Sequence, residues 1–323
     1  MENFKGTRVL VTGGAGCIGS FVVDQVLALG AQEVVVIDNF NRGSRENLEE
    51  ASKTKRVTFV EGDIRDRETL DKLFKGIDYC FHLASLKIIQ CAKEPRHAFE
   101  ANAQGTYNVL ECCAENKVKK MVFASTASIY GQADIFPTNE DHHPYNNYTL
   151  YGALKMCGEL MCRSFCHMHG LKYNVLRYFN VFGPRMDAFG KYTEVLIRWY
   201  DLIKQEKSPL IFGDGKQTMD FIYVEDVARA TVEALKSDVS GEVFNCASGK
   251  ETSLSELCKL LLKVMSSSLE PQYMPIPESR QKIEVYRRLA DMSKIKSQIG
   301  FEAKVEMKQG LLNLVQWLDE RNK

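Results

Sequence analysis

The stretch "TRVLVTGGAGCIGSFVVDQVLALGAQEVVVIDNF" constrains the fold more than any other part of the chain. A short apolar run, VLVT, leads into glycines at 13, 16 and 19, then an amphipathic stretch, then a second apolar run, VVVI. That order reads as strand, tight turn, helix, strand, and a strand followed by a helix returns parallel through a right-handed crossover. The runs VLVT, VVVI, TFV and MVFA lack polar alternation, as expected of strands covered on both faces. Gly13, Gly16 and Gly19 at this spacing permit a tight turn and bring backbone N–H groups of the helix N-terminus close to a pyrophosphate. Glycine triplets are common, and it is the strand–turn–helix setting that gives this one its meaning.

Strands and helices go on alternating. "VTFVEGDI" predicts a third strand, 66–75 a helix, "YCFHLAS" a strand, 95–116 a helix and "KMVFAS" a strand. A long helix from residue 151 to about 169 and the strand "YNVLRYFNVFG" follow. Pro184 and "MDAFGKY" then break the pattern. Beyond them lie a helix at 195–205, the strand "PLIFG", the segment "DFIYVEDVARATVEAL", and a helical tail with an extended insert at "PQYMPIPESR". The expectation is an α/β protein: a doubly wound parallel sheet over residues 1–180, rejoined by about 217–248. A smaller mixed α/β lobe takes 181–216 and 249–323.

Composition narrows the function. The 323 residues carry 42 basic and 42 acidic side chains, a balance with no electrostatic footprint for nucleic acid or an anionic membrane. No run approaches the roughly 20 apolar residues of a bilayer span. "MENFKGTRVLVTGG" lacks the basic head and apolar core of a secretory signal, so a cytoplasmic location is expected. Ten cysteines include no Cys-x-x-Cys pair. Cys157, Cys162 and Cys166 share a predicted helix with His167 and His169, a conceivable metal set, but the expectation is reduced, small apolar residues and no metal.

Two further patterns carry chemistry. Asp38 ends the second strand 19 residues after Gly19, placed to accept hydrogen bonds from ribose hydroxyls and to repel a 2′-phosphate, which favours NAD over NADP; Arg42 nearby could soften that rejection. "EGDI" places Asp63 and Ile64 to flank an adenine. "YGALK" sets Tyr151 and Lys155 four apart, on one helix face. A phenol has an ordinary pKa near 10. A neighbouring ammonium and a positive nicotinamide ring would lower it, making tyrosinate a base for a sugar hydroxyl as hydride leaves.

These residues make the chain resemble the extended short-chain dehydrogenase/reductase family, within its nucleotide-sugar epimerases and dehydratases. The likeness runs nearly end to end, through "VTGGAGCIGS", "DNF", "EGDI", "FHLAS", "ANAQGT", "STASIYG", "YGALK", "RYFNVFGP", "GDGKQTMDFIYVEDVA" and "ADMSKIKSQIGF". It implies a Rossmann-type lobe with bound NAD and a C-terminal lobe for a nucleoside diphosphate sugar. It also implies cofactor contacts from Cys17, Ile18, Asn39, Leu83, Ala84, Ser85, Lys87, Asn102 and Phe179. Ser85 and Lys87 in "ASLK" are similar to the small residue and lysine of galactose-type 4-epimerases.

The resemblance assigns Thr126, 25 residues before Tyr151, to the sugar hydroxyl being oxidised, with Ser125 and Ser128 supporting the loop and Ser125 within substrate reach. In the 4,6-dehydratases Asp-Glu or Ser-Glu follows that Thr; here stand Ala127 and Ser128, and the acid of the decarboxylating members is absent as well. Inversion at C4 remains, most simply of a UDP-hexose or its N-acetyl form. A net dehydrogenase or ketoreductase on another nucleotide sugar is the alternative, and a non-catalytic NAD-binding protein a remote third. On the substrate side the resemblance implies Asn180 at the diphosphate and Tyr192 beside the nucleotide sugar. Two usual arginines are missing: Met219 replaces one, and "QKIEV" replaces "RPGDV". A thioether cannot clamp a diphosphate. Arg280, Lys282, Arg287 or Arg288 could compensate, Arg288 being favoured because it stands just ahead of "AD". A homodimer through the Tyr–Lys helix and the helix before "KMVFAS" is expected, with Met156, Met161, Cys112 and Cys113 available to the interface.

Overall fold

A computed structural model describes residues 3–188, 194–278 and 285–321. Seven strands form one parallel sheet: β1 (Arg8–Thr12), β2 (Glu33–Asp38), β3 (Val57–Glu61), β4 (Tyr79–His82), β5 (Lys120–Thr126), β6 (Tyr173–Tyr178) and, much later in the chain, β10 (Glu242–Cys246). Their order is β10-β6-β5-β4-β1-β2-β3. Strand order reverses between β1 and β4, so the crevice at their carboxyl ends is where a doubly wound sheet takes a ligand.

The absence of polar alternation has the predicted cause. Val9, Val11, Val34 and Val36 turn to one face and pack on Val22, Val23 and Val26 of the helix Cys17–Ala28 and on Val227 and Leu235 of the helix Val224–Lys236. Leu10, Val35 and Ile37 turn to the other face, against Val109, Leu110, Cys112, Cys113 and Cys162. Burying a side chain the size of valine contributes about 1.5–3 kcal/mol, so both faces are held strongly. All ten cysteines are free thiols, and Cys80, Cys112, Cys113 and Cys162 serve here as small core residues.

Three local departures from the expected elements matter. The helix expected at 95–116 is two pieces, Pro95–Phe99 and Gly105–Glu115, joined by a π-turn at Glu100–Gln104. The strand "YNVLRYFNVFG" breaks at Phe179 into β6 and β7 (Asn180–Phe182). β7 then leaves the large sheet and pairs with β9 (Thr218–Tyr223), which in turn pairs with β11 (Glu251–Ser253). The catalytic-type helix starts at Leu150, one residue early, because the Thr149 hydroxyl accepts the Gly152 N–H at 3.1 Å, and it ends at Gly170 in the left-handed conformation.

The second lobe adds a two-stranded ribbon of β8 (Leu210–Phe212) and β12 (Gln272–Met274). The helices Val195–Lys204, Leu254–Val264 and Met307–Arg321 enclose its core of Trp199, Tyr200, Leu257, Leu261 and Leu314. Ser253 and Glu256 close the middle helix with a reciprocal capping box. Among the described residues, no helix is long and apolar enough to cross a membrane.

Candidate active site

The crevice at the carboxyl ends of β1 and β4 is lined by Gly13, Gly16, Cys17, Ile18, Gly19, Asp38, Asn39, Asp63, Ile64, Leu83, Ala84, Ser85, Lys87, Tyr151 and Lys155. The glycines are a steric requirement. Gly13 takes φ +69°, and a β-carbon there would stand 2.8 Å from the Ala84 nitrogen. Its N–H donates to the Ile37 carbonyl at 2.8 Å, tying the turn to β2. The helix begins after Gly16 with no side-chain cap, which leaves its first N–H groups facing the crevice. A backbone turned open in this way, without side chains to fill it, fits a dinucleotide pyrophosphate.

Asp38 is pinned at the far end. Its carboxylate accepts from Ala15 N–H (3.0 Å) and Phe40 N–H (2.9 Å); burial pushes its pKa up, and these two donors hold it down. Asp63 accepts from the Asn39 amide and from both forks of Arg65, each at 2.9 Å. Burial opposes the ionised form, yet these bonds bring its pKa down to about 2. Arg42 lines the same crevice, and its guanidinium pairs with Asp187 (3.1 Å) and Glu194 (3.4 Å). Lys87 also pairs with Glu194, at 3.1 Å. The Lys87 ammonium above all, with Arg42 and against the cost of burial, lowers Glu194 to about 2. Spacing alone did not reveal this bridge between lobes, because Glu194 is 107 residues from Lys87.

At the inner end, β5 and the helix Leu150–His169 bring Thr126, Tyr151 and Lys155 together. The Ser128 N–H donates to Thr126 Oγ1 (3.1 Å), capping the short turn Ala127–Tyr130. Burial pushes the Tyr151 phenol up to about 12, while a hydrogen bond with Thr126 and the charge of Arg288 pull it down. Lys155 donates to the Ala124 carbonyl at 2.7 Å and lies over the Phe123 ring, and burial lowers it to about 8. Lys155 is thereby anchored to β5 one helical turn from Tyr151, and the charge of Arg288 also reaches the phenol.

Several expected ligands sit differently. Asn102 lies on the π-turn and spends its amide on Leu86, accepting its N–H (2.8 Å) and donating to its carbonyl (2.9 Å). It braces the loop after β4 and lies outside the crevice lining. Phe179 is buried in a cluster with Ala127, Ile129 and Tyr130, beside the crevice and not on its wall. Ser125 lines the crevice, but its hydroxyl donates to Glu159. Asn180 has a buried Oδ1 with no hydrogen-bond partner among the described residues. Met219 packs against the core of the second lobe. Tyr192, Arg280 and Lys282 lie outside the described residues.

Sequence reasoning missed a buried ion pair. Arg177 on β6 grips Glu159 with two bonds (3.0 and 2.7 Å) and reaches Tyr130 Oη (3.0 Å) and the Glu140 carbonyl (2.8 Å). It locks the catalytic-type helix to β5 and β6 from below. The Cys–His helix gathers no ligand set. Among the described residues the one group with ligand-like proximity is Asp134, His142 and His143. There His142 Nε2 accepts the Asp134 N–H, His143 Nδ1 accepts the Tyr145 N–H, and His143 Nε2 lies 3.1 Å from the Asp134 carboxylate, an arrangement that closes the loop.

Comparison with known proteins agrees with this geometry. The model of the NAD dependent epimerase/dehydratase family matches residues 9–247. The chain belongs to that family. As an epimerase/dehydratase family member, its cofactor is NAD. It is 34% identical, over 98% of its length and 99% of the relative's, to a putative UDP-glucose 4-epimerase of Methanocaldococcus jannaschii. It superposes with TM-score 0.91 and 33% identity on a UDP-N-acetylglucosamine 4-epimerase from Methanobrevibacter ruminantium solved with UDP-N-acetylmuramic acid, covering 98% and 99% of the two chains. A UDP-glucuronic acid 4-epimerase from Bacillus cereus, solved with UDP-glucuronic acid and NAD, matches with TM-score 0.89 and 29% identity over 98% and 100%.

Proposed function

We propose that this protein inverts C4 of a UDP-linked hexose-type sugar and regenerates its cofactor in every turnover. The observation that carries the reading is the turn after β5: Thr126 stands beside Tyr151 at the inner end of the glycine-lined crevice, and the two residues that follow are Ala127 and Ser128. Elimination of water across C5 and C6 needs an acid and a base there, and neither side chain can serve.

Gly13, Gly16 and Gly19 would hold the pyrophosphate, and Asp38 the adenosine ribose. NAD held there would supply reversible hydride transfer at C4. Thr126 orients the C4 hydroxyl and passes its proton to Tyr151, and Tyr151 gives it back after the sugar has turned. A phenol at about 12 needs neighbouring positive charge to do this near neutral pH. Arg288 supplies some of it, and Lys155, protonated below about 8, adds more from one helical turn away. The buried Asn180 Oδ1, without a partner among the described residues, supports a polar substrate group near it.

The outer face of the Leu150–His169 helix supports a homodimer: Tyr145, Met156, Leu160 and Met161 line a shallow apolar groove, with Leu160 59% exposed. Ten free thiols suit a reducing cytoplasm. Proton NMR of the anomeric region after incubation with UDP-, dTDP- and GDP-sugars tests the reading. A C4 epimer formed without added cofactor supports it; a stable keto sugar with accumulating NADH favours the net redox reaction and removes it.

A further inference from the structure

The second lobe delivers a cation to the reacting corner by a route that the missing arginine at 219 does not predict. Residues 286–288 are laid against β9: Thr218 N–H donates to the Tyr286 carbonyl and Arg288 N–H to the Thr218 carbonyl, both at 2.9 Å, and Thr218 bridges Arg287. The next residue of β9, Met219, is partly buried and packs against the lobe core. Arg288, on the neighbouring segment, instead sends its Nη2 to within 3.5 Å of Ser128 Oγ. Ser128 Oγ is in turn 3.3 Å from the Thr126 hydroxyl. A guanidinium therefore stands one hydroxyl away from the residue assigned to the C4 oxygen.

The shape of a pyranose then decides what that guanidinium meets. With C4 held at Thr126 and Tyr151, the ring carbons closest to Ser128 and Arg288 are the neighbours of C4, namely C3 and C5. The diphosphate hangs from C1, across the ring. A planar, two-pronged cation matches a carboxylate, and the serine beside it adds a hydroxyl donor. Arg287 does not compete for the position, since it pairs with Glu251 at 2.7 and 3.0 Å.

We propose that Arg288 and Ser128 form a carboxylate-recognising subsite, and that the physiological substrate is a UDP-sugar acid bearing its carboxylate on a substituent next to C4. The carboxylate is either C6 of a hexuronate or an acidic ether on O3. The inference rests on the C4 reading above and names the substrate class for it. It also moves Arg288 from the diphosphate, where the sequence placed it, to the sugar.

The test is calorimetric titration of the NAD-loaded protein, and of Arg288→Leu and Arg288→Lys, with UDP, UDP-N-acetylglucosamine, UDP-glucuronate and UDP-N-acetylmuramate. One of the two acids is expected to bind the wild type at least about tenfold more tightly than the neutral sugar, the size of one charge-assisted contact. Which acid wins tells C6 from O3. Arg288→Leu is expected to erase that preference and leave UDP binding unchanged, and Arg288→Lys to keep part of it. An equal loss for UDP and every sugar would make Arg288 a diphosphate clamp and overturn the subsite, as would the absence of any preference for acids, or of binding by any nucleotide. NMR of the same mixtures separates the two claims. Epimerised neutral sugar without acid preference removes the subsite alone; acid preference lost in Arg288→Leu, with no epimer formed from any sugar, removes the C4 reading alone.

Discussion

Gly19 sits so close to the turn before it that a β-carbon would lie 2.2 Å from the carbonyl oxygen of Gly13. The helix N-terminus can approach the crevice floor only because both positions lack side chains. Gly19→Ala must push the helix outward, at a cost of about 1–3 kcal/mol for the added methyl. We expect the variant to lose its NAD on gel filtration, measured by heat release and absorbance of the nucleotide. Full retention would contradict the steric account.

Glu159 and Arg177 should behave as a unit. Both side chains are nearly inaccessible, at 5% and 6%, so removing one leaves the other buried and unpaired. Glu159→Gln is expected to cost about 3–5 kcal/mol in urea unfolding. The double variant Glu159→Gln with Arg177→Met should recover part of that loss. A single variant as stable as the wild type would show that the pair does not hold the helix to the sheet.

What the sequence made legible follows from the range of each interaction. The glycine spacing, Asp38 and the Tyr–Lys pair lie within one strand–turn–helix unit or one helical turn, where local geometry fixes neighbours, and all of them line the crevice. Lys87 with Glu194, Ser125 with Glu159 and Arg177 with Glu159 join residues brought together only by strand order. No periodicity announces such partners. Asn102 misled for a different reason: its side chain is turned by a π-turn, and a regular helix at 95–116 does not contain one. The break at Phe179 stayed hidden for another reason: "YNVLRYFNVFG" reads as one strand, and the chain changes sheets in its middle.

His82 should give the protein an acid-sensitive stability. It is fully buried, with its ring nitrogens 2.7 Å from the Thr12 hydroxyl and 3.0 Å from that of Thr106. Burial above all, with the charge of Lys155, lowers it to about 3. An unfolded chain binds a proton there below about 6.5, and the folded chain does not until far lower pH. The unfolded state thus carries the extra proton in between, and stability falls as pH falls, by about 1.4 kcal/mol per unit. Urea titrations at pH 7.5, 6 and 5 should show this slope, reduced in His82→Asn. Equal slopes in the two proteins would remove His82 as its source.

The apolar groove on the Leu150–His169 helix predicts a two-chain assembly. Leu160→Arg places a charge at its centre, and light scattering should report one chain for the variant and two for the wild type. A wild-type mass of one chain would sink the homodimer.

The central claim is that the hydride taken from C4 returns to the same carbon on the other face. It is tested most directly with a UDP-sugar deuterated at C4, incubated with the NAD-bearing protein and no added cofactor. The account predicts a C4 epimer that keeps its deuterium, none of the label in water, and a turnover lower by about 10²–10⁴-fold in Tyr151→Phe, with NAD still bound. Deuterium lost to solvent, or a keto sugar accumulating with reduced cofactor, would contradict it.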